Sequence, residues 1–398
     1  MNILLNIIIF LSAILNISLF ASDSLKAMVV PGNVSDISPT SKAWLSASYQ
    51  DIILYPKNRV NINSLDSNIL DERINAKKIR VKVITDGKNI SFLIKWADNT
   101  KSQLEGYTST TYGDGYSIEF PTKYNSIKKL PYIDMGSSKR SVVVHTKKAS
   151  LSVKKEKIYN EVYDELSVDK DNEIVRQYIE EINEKIPHNY QQIIIAEGSN
   201  SIRKIKDNSI NVKMQMLYKN GYWRGTLSRP LKSTYLDIDS GAFPVAFVVW
   251  DGKNDSRNTV KLFSSWIGVK IVGKSGGEKF INSLKNDVIG DIKNGEKIAH
   301  NNCAVCHHYK DIVLAPDFMA PDLSNIGGYG TKEYLIESMT DPSAIIVEKD
   351  NDNKNFTWYF LNDKGSKVST MPSYNWLDKK SKNDLVSFLM TLKETLKK

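Results

Sequence analysis

Cysteine is the scarcest chemistry in this chain: 398 residues contain two, Cys303 and Cys306. Both lie in the stretch Asn301 to His308, so no disulfide can staple distant segments and the thiols are kept for chemistry. Four cysteines for an iron–sulfur cluster are likewise missing, and no molybdopterin motif or long low-complexity tract occurs. Histidine is nearly as rare, with five residues. The lysines are scattered and no recognition motif accompanies them, which argues against a nucleic-acid partner. From residue 286 onward there is no arginine, and fourteen lysines face sixteen acidic residues, a net −2. The total is +9, so the rest of the chain carries +11. A basic region is joined to a mildly acidic one, a contrast suited to an acidic partner.

The length fits two domains, and 41% hydrophobic residues suffice for real cores. Residues 1–21 are an apolar run without ionisable side chains, ending in Leu19-Phe20-Ala21 before Ser22-Asp23-Ser24. It reads as a secretory signal peptide, although no Lys or Arg precedes the apolar run. Uncleaved, it is long enough to serve as a membrane anchor. Either way the expected location is the periplasm.

Residues 22–272 read as an antiparallel β-sandwich. Period-two alternation marks Ile79 to Ile84 and Ile90 to Trp96, joined by a turn at Asp86-Gly87. Val142 to Val144, Ile210 to Met216, Tyr222 to Leu227, Val245 to Trp250 and Ser264 to Ile271 continue the pattern, with a turn at Lys219-Asn220-Gly221. No regular βαβ alternation interrupts it. A charged stretch, 147–187, reads as a helical insertion with Val175, Tyr178, Ile179, Ile182 and Ile186 on one face. Residues 273–285, with Lys274-Ser275-Gly276-Gly277, read as a linker. Helices are expected over Asp291 to Asn302, Lys332 to Met339 and Lys382 to Lys397, the last with a stripe of Leu385, Phe388, Leu389, Leu392 and Leu396.

Cys303, Cys306 and His307 have the C-x-x-C-H spacing of covalent haem c attachment: two thiols take the vinyl groups while the histidine reaches the iron. A zinc site would need four ligands with only His300 and His308 spare nearby, and a redox dithiol would need a βαβ frame. The order of helix, CxxCH, middle helix, Met-Pro loop and closing helix over 286–398 resembles a small all-α class I cytochrome c. That resemblance implies thioether links at Cys303 and Cys306, His307 on the iron, and a methionine opposite. Met371, in Ser369-Thr370-Met371-Pro372, is the choice for that methionine; Met319 competes from nearer the CxxCH. Ala320-Pro321-Asp322-Leu323 matches the family loop whose backbone accepts the histidine's N–H.

Two upstream stretches do not look like generic sandwich filler. One runs Tyr112-Gly113-Asp114-Gly115-Tyr116-Ser117-Ile118-Glu119-Phe120-Pro121 and on to Pro131-Tyr132-Ile133-Asp134-Met135-Gly136. The other runs Phe243 to Asn254 and on to Val260-Lys261-Leu262-Phe263-Ser264-Ser265-Trp266. With Ile53-Leu54-Tyr55-Pro56 and Trp96-Ala97-Asp98-Asn99-Thr100, they resemble the haem-binding γ subunit of ethylbenzene dehydrogenase and dimethyl sulfide dehydrogenase. The resemblance implies a non-covalent haem b held by Met135 and Lys261. A lysine ligates only as the neutral amine, which burial favours. His145 competes as a ligand because it follows Val142-Val143-Val144 where the family continues into a Trp-rich strand. His188 reads as a surface residue.

The same resemblance implies an electron-transfer subunit that makes no bonds itself. Its partners would be a molybdopterin catalytic subunit and an iron–sulfur subunit of a DMSO reductase-family complex, with a soluble cytochrome or quinone-linked carrier beyond. Nitrite oxidoreductase-type complexes use a comparable subunit with both haem types. The alternative is a ligand- or carbohydrate-binding sandwich, with Trp250 and Trp266 as a sugar platform, fused to a monohaem cytochrome c. A peroxidase-like haem enzyme fits less well, since both irons would be six-coordinate.

Overall fold

The computed structural model describes residues 24–57, 75–103, 113–149, 190–198, 201–205, 211–252, 261–285, 290–315, 319–346 and 358–396. Its larger part is a mainly antiparallel β-sandwich, followed by a small helical unit. The leading apolar segment, most of the charged insertion and His188 lie outside the described residues.

One layer is built on strands β1 (Ser24–Val29), β2 (Gln50–Pro56), β3 (Lys77–Thr85), β4 (Asn89–Ala97), β9 (Lys213–Lys219) and β10 (Tyr222–Pro230). The other contains β5 (Gly115–Pro121), β6 (Val142–Lys148), β7 (Gln191–Ala196) and β8 (Ile202–Ile205). Three more strands tie the layers together: β11 (Ala242–Trp250), β12 (Leu262–Phe263) and β13 (Ile267–Ile271). The pairings run β11 to β12 to β2 to β3 to β1 to β13 and back to β11, a closed ring from which β4-β10-β9 and β5-β6-β7-β8 extend. Two of those contacts, β1 with β3 and β1 with β13, are parallel.

Alternation decides which side chains fill the core. Ile79, Val81 and Val83 of β3, Phe92, Ile94 and Trp96 of β4, Ile118 and Phe120 of β5, and Phe243 and Phe247 of β11 all point between the layers. Phe92 meets Phe120 and Phe247 edge-on at 5.8 and 6.3 Å. Each such side chain contributes about 1.5–3 kcal/mol on leaving water. Strand β11 is buried along its whole length. Its other face, Ala246, Val248 and Trp250, joins Val142, Val144, Ile194 and Ala196 in a second apolar surface outside the sandwich.

The helical unit covers that surface. It comprises α2 (Ile292–Asn302), α3 (Ile326–Tyr329), α4 (Lys332–Thr340), α5 (Lys379–Leu389) and a hairpin of β14 (Tyr359–Leu361) and β15 (Lys367–Ser369). Ala299, Leu335, Leu385, Phe388 and Leu389 share one continuous cluster with the sheet face. Helices α2 and α5 cross closely at Gly295, where a Cβ would lie 1.9 Å from the Asp384 carbonyl oxygen. The Asp384 carboxylate also accepts from the Asp291 N–H and from Asn294 Nδ2, both at 2.8 Å. Arg140 makes two hydrogen bonds to Glu337, at 2.7 and 2.6 Å, across the junction. The Tyr329 hydroxyl donates to the Lys57 carbonyl at 2.9 Å, and the Tyr132 and Tyr334 rings lie 5.0 Å apart.

Several boundaries move. The 273–285 segment contains a short helix, α1 (Glu278–Ser283), because Ile281 and Leu284 have sheet surface to bury against. Lys147 and Lys148 belong to β6, paired with Tyr116 and Gly115, so the insertion begins later than its charge pattern suggests. Helix α5 starts at Lys379, where Asp378 caps it by accepting from the Ser381 N–H, and ends at Leu389. Leu392 is buried beyond its end. Strands β1, β2, β5, β7 and β8 and the β14–β15 hairpin have no counterpart among the strands read from the sequence.

Candidate functional site

The CxxCH stretch forms where α2 ends. Asp291 caps the helix start by accepting from the Lys293 and Asn294 N–H groups, and the Cys303 N–H closes its end on the Ala299 carbonyl. The Cys306 and His307 N–H groups both return to the Cys303 carbonyl, at 3.0 and 2.8 Å. This tight turn presents two sulfurs and an imidazole from five consecutive residues. His307 Nδ1 donates to the Pro321 carbonyl at 2.7 Å. That bond fixes the ring and its tautomer and leaves the Nε2 lone pair for a metal. Burial lowers the His307 pKa, so the imidazole is neutral, the form that ligates. Burial pushes the Cys303 thiol up to about 12, with the neighbouring Cys306 adding to it.

Met371 follows β15 and packs half-buried against the cluster that contains Cys303. Three residues on, Tyr374 anchors this loop twice. Its N–H donates to the Met339 carbonyl at 2.7 Å, and its hydroxyl donates to the Asn302 carbonyl, beside Cys303, at 2.9 Å. Met319 is 38% exposed and has no comparable anchoring among the described residues. The buried Tyr309 hydroxyl, two residues after His307, has no partner among the described residues. A soft thioether, a neutral imidazole and paired thiols form a donor set that fits a covalently held haem.

The second site lies on the outer sheet face beneath the helical unit. Asp134, Met135 and Gly136 form a sharp turn, with φ +91° at Asp134 and +68° at Gly136. A Cβ on Gly136 would meet the Arg140 and Ala196 carbonyl oxygens at 2.8 and 2.9 Å, so the turn is held tight to the sheet. The Gly198 N–H donates to the Met135 carbonyl at 2.7 Å. The Asp134 N–H donates to Glu119 Oε2 at 2.9 Å, and Lys57 Nζ bonds Asp134 Oδ2 at 2.7 Å.

Lys261 leads into β12 and sets its Nζ 5.8 Å from the Trp250 ring centroid. Its charge bears on both Glu119 and Asp134, which places it in the same cluster as the turn that carries Met135. Burial, reinforced by the Asp134 charge, pushes the Glu119 carboxyl up to about 8. Burial also works to raise Asp134, but Lys57 and then Lys261 hold it below its usual value. Met135 and Lys261 are thus brought to one face, both half-buried. The Ser137 hydroxyl in the Met135 turn is buried without a partner among the described residues. A thioether, an amine and an orphaned hydroxyl beside tryptophan walls fit a non-covalent haem.

His145 does not join them. It pairs in register with Ile118, edge-on to Phe120 at 5.4 Å and 3.4 Å from Arg229 Nη1, on the sandwich-core side of the sheet. Adjacent strand residues face opposite ways, so Glu119 and the Met135 turn lie on the other side. Trp250 and Trp266 are buried, their Nε1 groups donating to the Gly113 and Pro131 carbonyls at 3.0 and 2.9 Å. They make no exposed sugar platform.

Lys57, Glu119 and Asp134 form a largely buried charged group with no joint signature in the sequence. Only the apolar residues flanking Glu119 hinted that an outward-facing carboxyl on β5 would be buried.

Residues 41–261 match the model of the family described as ethylbenzene dehydrogenase, more than half of the chain. The chain belongs to that family. The match takes in Met135 and ends at Lys261, so the helical unit lies beyond the family's span. No curated protein matches the chain. Among solved structures, it is similar to a family 9 carbohydrate-binding module from Caldicellulosiruptor kristjanssonii in complex with glucose. Identity is 10% and TM-score 0.32, covering 63% of this chain and 98% of that one. The module in complex with cellotriose gives 10% and 0.33, over 64% and 96%. Likeness at this level carries no argument about ligands.

Proposed function

We propose that this member of the ethylbenzene dehydrogenase family is an exported, two-haem electron-transfer subunit that serves a molybdenum enzyme. The observation that carries the reading is the shared apolar cluster: it contains Cys303, and both Met135 and Met371 pack against it. Two donor sets, each suited to a six-coordinate iron, therefore border one water-poor body of protein.

His307 and Met371 would hold the iron of a haem c attached at Cys303 and Cys306, while Met135 and Lys261 would hold that of a haem b. The bound haems would supply one-electron chemistry, and the chain's own residues fix position and potential. Pro321 orients His307, Tyr374 steadies the Met371 loop, and the Asp134 to Gly136 turn fixes Met135. Thioether ligands raise reduction potential relative to a second histidine.

With both cysteines committed to haem c, the iron–sulfur and molybdopterin centres belong to partner chains, as does catalysis. A soluble cytochrome or quinone-linked carrier would complete the relay. Haem c attachment implies the periplasm, consistent with residues 1–21 acting as a signal peptide.

Pyridine haemochrome spectra taken before and after acid-acetone extraction test this reading. One extractable b haem and one retained c haem per chain are expected, and Lys261→Ala should remove only the b signal. A single retained c haem would leave a binding sandwich fused to a monohaem cytochrome instead.

A further inference from the structure

Three carboxylates from distant parts of the sequence converge at one end of the sandwich. Asp98 follows β4, Asp114 precedes β5 and Asp251 follows β11, and one oxygen from each lies within 4.8 Å of the others. Asp98 is 4% exposed and Asp114 fully buried. Asp114 is held rigidly: Oδ2 accepts from the Ser102 N–H and Trp223 Nε1, and Oδ1 from the Gly252 N–H, all at 2.8 Å. Asp98 Oδ1 accepts from the Thr100 N–H and hydroxyl, both at 3.1 Å. Asp98 Oδ2, by contrast, is buried with no partner among the described residues.

A buried carboxylate oxygen without a donor is costly, and like charges nearby make it worse. Burial is the main cause that raises both Asp98 and Asp114, with Asp251 acting on the first and Asp98 on the second. Lys77 is the cation that acts on Asp98. The groups that hold Asp98 and Asp114 in place are main-chain amides, a hydroxyl and an indole.

We propose that Asp98, Asp114 and Asp251 bind a hard divalent cation of the calcium class. All three donors are oxygens, which excludes soft-metal preference. Calcium–oxygen distances of about 2.3–2.6 Å place opposed ligands roughly 4.6–5.2 Å apart, whereas magnesium draws them to about 4.0–4.2 Å. The three oxygens, all within 4.8 Å of one another, can reach one such ion. Calcium takes six to eight oxygens, so water and carbonyl groups complete the shell.

The ion would clamp neighbouring strands, since Trp250 and Gly115, next to Asp251 and Asp114, pair directly. The Trp250 ring in turn lies against Lys261. The clamp would hold the strand end from which the chain departs toward Lys261.

The test is calcium titration of the haem-loaded full-length protein after EDTA treatment and dialysis, followed by calorimetry and thermal melting. One equivalent of calcium should bind per chain. At roughly a hundredfold above Kd the melting midpoint should rise on the order of 5–10 °C, with magnesium giving less. Asp98→Asn and, at the more accessible position, Asp251→Asn should each abolish the response. If wild-type protein binds no calcium and its midpoint is indifferent to it, the proposal is overturned. In that case Asp98→Asn would raise the metal-free midpoint, because the trio shares protons instead.

Discussion

The two candidate haem sites obtain similar donor sets by opposite means. In the helical unit, Cys303, Cys306 and His307 come from a single turn, and only Met371 arrives from elsewhere. On the sheet face, Met135 and Lys261 are 126 positions apart by their numbering and depend on Asp134 of the Met135 turn and on Lys57 and Glu119 from two further segments. A site that closes a covalent bond can be encoded locally and placed on a small scaffold. A site that holds its group by coordination alone needs a rigid sheet to bring distant residues together, and so leaves a weaker trace in the sequence.

The sharpest way to break this contrast is to remove the local site. Cys303→Ala combined with Cys306→Ala should abolish haem that survives denaturing electrophoresis while leaving extractable b haem in place. Loss of both would mean that the sheet site depends on the helical one. Next comes Gly295→Ala, whose methyl group would strike the Asp384 backbone and cost about 1–3 kcal/mol. Calorimetry should show the helical unit melting earlier, with the sandwich transition less affected.

Arg140→Ala strips a half-buried ion pair from the junction and should cost about 1–2 kcal/mol. Limited proteolysis should then cut more readily between the two regions, and a double-mutant cycle with Glu337→Ala should return a coupling of similar size. His145 sharpens the comparison from the sandwich side. Burial, then Arg229, holds its pKa well below the usual value. Its contribution to stability is therefore complete above about pH 6.5 and is lost as pH falls from there toward the folded value. The slope should be at most about 1.4 kcal/mol per pH unit. His145→Gln should flatten that slope in denaturant titrations at pH 5 to 7 and leave the b-haem spectrum unchanged; an altered spectrum would restore His145 as a ligand. The smallest effect is expected of Tyr374→Phe. It loses one hydrogen bond, about 1 kcal/mol, and should weaken the methionine–iron absorption band of the c haem alone.

Strand positions were legible because alternation reports directly on a sheet with one dry face. Ile79 to Ile84 and Ile90 to Trp96 fall within observed strands for that reason. Alternation alone does not reveal that Glu119 is buried, because the outward face of its strand is also covered. Strand β1 could not be read because it lies between β3 and β13 in parallel, a long-range pairing with no local turn to announce it. CxxCH needed no fold at all, whereas the Pro321 carbonyl was legible only through likeness to cytochromes c. The aspartate trio carried no signal, since each residue alone resembles an ordinary strand-end aspartate.

The ring that β1 completes also has a consequence in time. Ser24 to Ala27 pair with Gly268 to Ile271, so the first described strand waits for nearly the last of the sandwich before its second edge is covered. Contacts of such long separation form slowly and leave strand edges open meanwhile. A chain that emerges from its N-terminus would thus hold an incomplete β-layer until residue 271 is available. Lys261 becomes available only ten residues before that closure, so capture of the b haem should be among the last steps of sandwich folding, in step with ring closure and not before it.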